Sequence, residues 1–112
     1  MSNNSVTLQG WLTLRQDRLR RERTNGKEYL VMDAEVDTDK PYLGGRHPVV
    51  LEGRPAELAL ALLEAQQAKR LRVQATVRGK LLTIWQRHTP RTVVVARYVD
   101  FQPNGGGSGA EA

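Results

Sequence analysis

The chain has 112 residues, a formal net charge of +5 and no cysteine. This length allows one domain with one core, and the balance of 39% hydrophobic and 26% charged residues is typical of a globular protein. Without cysteine there is no disulfide framework or thiolate metal site, and His47 and His88 alone do not form a usual zinc site, so we expect no metal and no other cofactor.

The first predicted strand covers residues 6–15, where apolar residues and Gly10 alternate with an outward row that contains Trp11 and Arg15. The polar run DRLRRERTNGKE follows. It contains Asn25-Gly26, the favoured pair for a tight hairpin turn, and therefore predicts a long basic hairpin arm. Residues 29–36 alternate again as the second strand, and DTDKPYLGGR is predicted to be a loop.

A single helix is predicted between the third and fourth strands. Residues 47–52 form a short β-rich run that ends at Gly53, and Pro55 falls where a first helical turn accepts a residue without an N–H. Leucine and alanine recur at helical spacing over residues 55–68, which predicts a helix that is apolar on most sides and closes one end of a barrel.

Period-two alternation returns after Arg70 and predicts a fourth strand over residues 71–83, with a bend or bulge at Gly79. Residues 92–101 are the predicted fifth strand, in which Tyr98, Val99 and Phe101 are expected to be partly buried. The predicted fold class is all-β: a five-stranded OB-fold Greek-key barrel with one helix between strands 3 and 4. This domain spans residues 6–103, between a disordered N-terminus (1–5) and a flexible Gly-rich tail (104–112).

Three segments resemble bacterial single-stranded DNA-binding proteins. VTLQGWLTL resembles their first strand, HPVVLEGRPAELA their third strand and helix start, and RLRVQATVRGKLLTIW with RTVVVARYVDF their last hairpin. The ending NGGGSGAEA differs from that family's acidic, aromatic-tipped tail, and in this respect the chain also resembles the related primosomal replication protein. The resemblance implies an OB-fold, a role in DNA replication, repair or recombination, and a homodimer or homotetramer with replication or restart proteins as further partners.

Thirteen of the seventeen basic residues are arginine, which makes multidentate phosphate contacts and can stack on bases. Single strands are held by a basic groove together with aromatic rings that stack on bases. The candidate nucleic-acid-binding residues are Trp11, Arg15, Tyr29, Arg72, Arg78, Lys80, Trp85, Arg87 and Arg91.

Other interpretations remain open for several of these residues. Trp11 fits a barrel end or a dimer interface as well as it fits stacking, and Tyr29 also fits a cross-strand partner of Trp11. Stacking is favoured for Trp85, which lies in the basic hairpin KLLTIWQRHTPR. The acidic residues of the second-strand region are expected to repel a phosphate backbone and direct it elsewhere: Asp33, Glu35, Asp37 and Asp39.

The sequence contains no carboxylate pair, Ser-His-Asp order or phosphate-cradling glycine loop, so we expect no enzyme. We predict that the chain binds single-stranded DNA without strong sequence preference, by electrostatic capture followed by stacking. The alternatives are an OB-fold adaptor of replication restart and an RNA-binding protein of the same fold. No apolar run approaches the roughly 20 residues of a membrane span, and MSNNS lacks the parts of a signal peptide, so a cytoplasmic, nucleoid-associated protein is expected.

Overall fold

The computed structural model describes residues 5–38 and 45–102. Within these ranges the elements are β1 (Ser5–Arg15), a 3-10 turn (Gln16–Arg18), β2 (Leu19–Thr24), β3 (Lys27–Asp37), β4 (Arg46–Glu52), α1 (Arg54–Ala65), β5 (Arg70–Gln86) and β6 (Thr89–Phe101). The predicted tail, most of the predicted N-terminal segment and part of the loop that contains Asp39 lie outside the described residues.

Five of the strands close into a barrel. Their order is β1–β5–β6–β4–β3, and the ring closes because β1 also pairs with β3. All neighbours are antiparallel except β4 and β6, which are parallel. A closed five-stranded barrel with one helix ahead of its last hairpin is the OB-fold arrangement that the sequence predicts.

The described chain has one strand more than the five that were predicted. β2 pairs with β3 from Leu19 opposite Met32 to Thr24 opposite Lys27, so the basic arm is an extension of the sheet. The predicted turn at Asn25-Gly26 is confirmed, with positive φ angles of 54° and 79°. The predicted hairpin arm is therefore confirmed, but the count of five strands omitted β2, because this strand has charged residues where alternation requires apolar ones.

Because β2 is an additional strand, α1 follows the fourth strand in chain order, β4. This strand is the third of the five barrel strands in chain order. The helix ends at Ala65 rather than at the predicted Ala68, because Gln67 adopts a left-handed conformation with a φ of 53° that stops the helix. The helix buries one side, through Pro55, Ala56, Ala59 and Leu63, rather than most sides. No helix within the described ranges is long and apolar enough to span a membrane.

Gly10 allows β1 to pair with two neighbouring strands, β5 and β3. A Cβ atom at this position would collide with the backbone carbonyl of Asp37 on β3. The two strands therefore come together directly after the glycine, where Trp11, Leu12 and Thr13 pair with β3 as well as with β5.

The predicted bulge at Gly79 is confirmed, because the register of β5 and β6 shifts between Arg78 and Gly79. Arg78 lies opposite Tyr98 and Gly79 lies opposite Ala96, so Arg97 is the extra residue of β6. A Cβ atom at Gly79 would overlap the backbone of Val95. Only glycine therefore allows the two strands to approach each other this closely.

The extra residue changes the phase of β6, which turns Val99 inward and Tyr98 outward. Tyr98 is 49% exposed, so the expectation that it is partly buried was wrong. The buried interior is apolar and is built by the strands and α1 together. Its strand residues are Leu12, Leu14, Met32, Ala34, Val36, Val49, Leu51, Val73, Ala75, Val77, Val94, Ala96 and Val99.

Candidate nucleic-acid interface

A groove with a volume of about 400 Å³ crosses the outer surface of the barrel. It lies between the C-terminal end of β1, the outer faces of β3 and β4, and the β5–β6 hairpin. Its apolar lining includes Pro48 and Val50 on β4 and Ile84 and Val93 on the hairpin, with Ala34 and Val49 beneath them. Its charged lining, among the described residues, consists of Arg15, Arg18, Arg46, Arg70 and Arg91 with Asp33 and Glu35.

The strand geometry explains how these arginines meet. Arg15 and Arg70 are directly opposite each other in the last pair between β1 and β5. Arg46 is the first residue of β4, and Arg18 ends the 3-10 turn that follows β1. All four side chains are at least partly exposed, and we call this cluster with its apolar floor the arginine groove.

Several neighbouring charges are already paired. Arg15 Nε lies 3.3 Å from Asp17 Oδ1. Arg20 pairs with Glu22 at 2.8 Å and with Asp33 at 2.7 Å, so the charge of Asp33 is compensated. The acidic end of β3 is therefore less repulsive toward phosphate than its sequence indicates.

Arg20 is a permanent cation in this arrangement. Partial burial lowers the pKa of its guanidinium, but the hydrogen bonds and charges of Glu22 and Asp33 outweigh burial, and the pKa lies above its ordinary value. Two carboxylates, one on the arm and one on β3, thus share the charge of the Arg20 guanidinium.

In contrast, three arginines of the groove form no ion pair within the described residues: Arg18, Arg46 and Arg70. Glu35 is the one acid of the described lining that is likewise unpaired there. Positive charge thus exceeds negative charge, and it is held beside an apolar floor. Such a surface suits a ligand that combines phosphate groups with apolar rings.

A second arrangement lies on the outer face of β1, β5 and β6, which we call the β5 face. The Arg72 guanidinium carbon is 4.8 Å from the centroid of the Trp11 ring, and that of Arg78 is 5.6 Å from the centroid of Tyr98. Both distances are within the range of cation–π attraction. Lys80 follows Arg78 on the same face and is exposed.

The tip of the β5–β6 hairpin carries the most exposed large apolar side chain described, Trp85, at 71% exposure. Ile84 lines the arginine groove, so strand alternation turns Trp85 to the opposite side of the hairpin. Arg87 lies in the turn with a positive φ of 51° and an exposed side chain.

The nine candidates from the sequence are therefore divided among several surfaces, of which the arginine groove and the β5 face meet at a pocket that Arg72 lines with Arg46 and Arg70. Arg15 and Arg91 line the arginine groove; Trp11, Arg72, Arg78 and Lys80 lie on the β5 face; Trp85 and Arg87 lie at the hairpin tip.

Tyr29, the ninth candidate, belongs to the arm, where its hydroxyl lies 3.2 Å from the hydroxyl of Thr24. The alternative that Tyr29 pairs with Trp11 was wrong, since Trp11 lies opposite Asp37 and Gln74.

Sequence reasoning missed three groove residues: Arg18, Arg46 and Arg70. Arg70 precedes Arg72 by two residues and therefore shares its outward phase, which is a signal that could have identified it. Arg46 and Arg18 are adjacent to Arg70 only because the barrel closes, and the sequence pattern does not reveal this. Within the described part of the chain, no cluster of His, Cys, Asp or Glu is arranged to hold a metal ion.

No protein-family model and no curated protein matches the sequence. Among solved structures, the chain is similar to the dimeric N-terminal domain of the PriB protein from Thermoanaerobacter tencongensis. The TM-score is 0.51 at 17% sequence identity, and the match covers 91% of this chain and 99% of that chain. At this identity the likeness shows a shared fold.

Proposed function

We propose that this protein binds single-stranded DNA without strong sequence preference, and that the arginine groove holds the sugar-phosphate backbone. The observation that carries the proposal is the convergence of Arg18, Arg46 and Arg70, without acidic partners among the described residues, beside an apolar floor. Phosphates supply the missing negative charge, and the release of their counterions drives binding for any sequence.

A single strand fits this groove better than a duplex does. The apolar floor of Pro48, Val50 and Val93 offers contact to exposed bases, whereas the bases of a duplex are already stacked. The fold supports the same conclusion, since OB-fold barrels bind oligonucleotides with this strand face and the loops beside it.

Three candidates outside the groove, Arg78, Lys80 and Trp85, contact the strand where it leaves the groove. Arg78 and Lys80 on the β5 face would then bind phosphates, and Trp85 would stack on a base. Replacing either cation by alanine should make the salt dependence of binding shallower by about 0.7 for each phosphate that the variant no longer binds. Unchanged slopes in both variants would limit the interface to the groove.

The proposed role is non-catalytic. The sequence resemblance to single-stranded DNA-binding and primosomal replication proteins supports a place in DNA replication, with repair and recombination as related settings. Because the similar PriB domain is dimeric, we also propose that this chain forms a homodimer. Light scattering at micromolar concentrations should give a mass of at least two chains, and a strictly monomeric mass would contradict this part of the proposal.

The central test compares two double variants that remove the same charge. Arg46→Gln with Arg70→Gln should weaken the binding of labelled oligo-dT by at least about tenfold, because hydrogen bonds to charged groups contribute about 1.5–3 kcal/mol. Arg54→Gln with Arg97→Gln, which are exposed and do not line the groove, should leave binding nearly unchanged.

Fluorescence anisotropy with oligo-dT, duplex DNA and single-stranded RNA at two salt concentrations completes the test. Tighter binding of oligo-dT than of the other two ligands supports the proposal. Equal losses of affinity in both double variants would overturn the groove assignment, and tighter binding of RNA would overturn the choice of DNA. No binding of any nucleic acid would overturn the function and favour an adaptor.

A further inference from the structure

Arg15 and Arg70 form the terminal pair of the β1–β5 ladder, so two like charges lie directly opposite each other. Such pairs destabilise a sheet. Asp17, at 3.3 Å from Arg15, compensates one of the two charges, and Arg70 has no acidic partner within the described residues. The guanidinium of Arg70 thus has no ion pair, among the described residues, at a position that strand pairing fixes.

The backbone at this position is held in place on both sides. Beyond the Arg15–Arg70 pair, the N–H of Gln16 donates to the carbonyl oxygen of Lys69 at 2.8 Å. The ladder therefore continues past the two arginines, and their Cα atoms cannot separate to relieve the repulsion. The repulsion is therefore relieved by reorientation of the exposed side chains or by a bound anion, and not by separation of the strands.

The side chains of Arg15 and Arg70 line two pockets in common. Both line the arginine groove, and both also line a smaller pocket formed with Gln16, Asp17 and Lys69. Arg70 additionally lines a third pocket with Thr13, Arg46 and Arg72, where Glu35 and Asp37 supply two carboxylates and Asp37 pairs with Arg72. Arg70 therefore lies where the three spaces meet, with Arg15 beside it.

We infer that Arg15 and Arg70 jointly bind one phosphate group, which makes this end of the groove a single-phosphate anchor. Opposite residues of an antiparallel pair have Cβ atoms about 4.5–5.5 Å apart, so two guanidinium groups can donate to the oxygens of one phosphate. The planar donor fork of arginine suits this shared contact. For a backbone phosphate as the ligand, the inference rests on the proposed function.

A double-mutant cycle with labelled oligo-dT tests whether the phosphate is shared. If both arginines hold one phosphate, Arg15→Gln and Arg70→Gln should each weaken binding about tenfold, and the double variant should bind only slightly more weakly than either single variant. The salt slope should fall by about 0.7 in all three variants, the value for one phosphate on a single strand.

Two separate contacts give a different result. The losses of affinity would then multiply to about a hundredfold in the double variant, and the salt slope would fall by about 1.4. That outcome would overturn the shared anchor while leaving the proposed function intact. Wild-type affinity in all three variants would also overturn it.

A second measurement uses inorganic phosphate as the probe and needs no nucleic acid. At a phosphate concentration near its dissociation constant, the melting temperature of the wild type should rise about 2 °C more than that of Arg15→Gln or Arg70→Gln, relative to chloride at equal ionic strength. Phosphate stabilises folded proteins generally by exclusion from their surface, so the difference between variants is the readout. The control Arg54→Gln should behave as the wild type does.

The two measurements separate the anchor from the function. Phosphate stabilisation that depends on both arginines supports the anchor even if oligo-dT does not bind, in which case the proposed function fails alone. Equal stabilisation of the wild type and both variants would overturn the anchor even if oligo-dT binds tightly.

Discussion

The guanidinium of Arg72 covers the ring of Trp11 at 4.8 Å from its centroid and also pairs with Asp37 at 3.5 Å. One face of this indole is therefore occupied before any ligand arrives. A base could stack on that face only after displacing an arginine that an acid holds in place. This relationship favours a structural role for Trp11 over stacking, and it makes Trp85 the better candidate for contact with a base.

Replacing Arg72 by alanine should lower the free energy of unfolding by about 0.5–1 kcal/mol, the contribution of an exposed cation–π contact. It should also shift the Trp11 emission to longer wavelength because the ring becomes more hydrated. Urea unfolding and fluorescence in a Trp85→Phe background measure both effects. The control is Arg97→Ala, because Arg97 has no ring contact among the described residues, and an equal drop in stability of that variant would contradict the assignment.

Trp85→Ala should weaken the binding of long oligo-dT by about 1–3 kcal/mol and leave the melting temperature nearly unchanged, because the side chain is 71% exposed. Trp85→Phe should weaken binding less, since a smaller ring still stacks. In a Trp11→Phe background, an oligomer of about 16 nucleotides should quench the emission of Trp85 more strongly than one of about 4 nucleotides. The reason is that a short strand confined to the groove does not reach the far side of the hairpin.

Normal binding by Trp85→Ala together with a much lower melting temperature, or dissociation into monomers, would assign Trp85 to the core or a subunit interface. Strong quenching by the short oligomer would show instead that even a short strand binds at the hairpin tip rather than in the groove.

Gly79→Ala should destabilise the protein by about 3 kcal/mol or prevent folding, because the added methyl group overlaps the backbone of Val95 rather than a movable side chain. Gly26→Ala is the matched control. Its φ of 79° is unfavourable for alanine, but no atom of the described residues lies within 4 Å of the added carbon, so the destabilisation should stay at about 1 kcal/mol. Thermal unfolding followed by circular dichroism compares the two, and similar destabilisation would mean that backbone strain rather than the close approach determines the need for glycine.

Replacing the two turn residues between β5 and β6 by Asn-Gly, the pair that joins β2 and β3, should stabilise the protein. Arg87 and His88 both have positive φ angles, of 51° and 68°, which residues other than glycine and asparagine adopt at a cost. The pair Arg87→Asn with His88→Gly should raise the free energy of unfolding by about 1 kcal/mol. Lower stability in urea would show that the native side chains make contacts that outweigh the strain.

The barrel was predictable because its signals are local. Alternation identified three of the barrel strands, and runs of β-branched and apolar residues identified the other two, β4 and β6. Pro55 indicated the start of the helix, and Asn25-Gly26 and Gly79 indicated the turn and the bulge. β2 was missed because Leu19 is the one apolar residue among its six, and its pairing is determined by the turn and by β3. The outward position of Tyr98 was missed because one extra residue, Arg97, changes the phase of β6.

The candidate site was predictable only in part. The outward phases of Trp11, Arg15 and Arg72 followed from alternation, but their grouping did not. Arg46 and Arg70 are brought into one groove by barrel closure, which depends on the crossing of β1 and β3 at Gly10. In contrast, the side of the hairpin on which Trp85 lies follows from alternation along β5, because the extra residue of the bulge belongs to β6.

β2 is the last strand of the sheet and pairs with β3 alone among the described strands. Its outer edge therefore presents free N–H and C=O groups that could recruit a strand of another molecule and start aggregation. Four of its six residues are charged, and charged side chains on an edge discourage such pairing. The charged residues of the arm thus oppose pairing of β2 with a strand of another molecule, whether or not a ligand is bound. Replacing the arginines of β2 by apolar residues would leave an edge strand that is prone to aggregation.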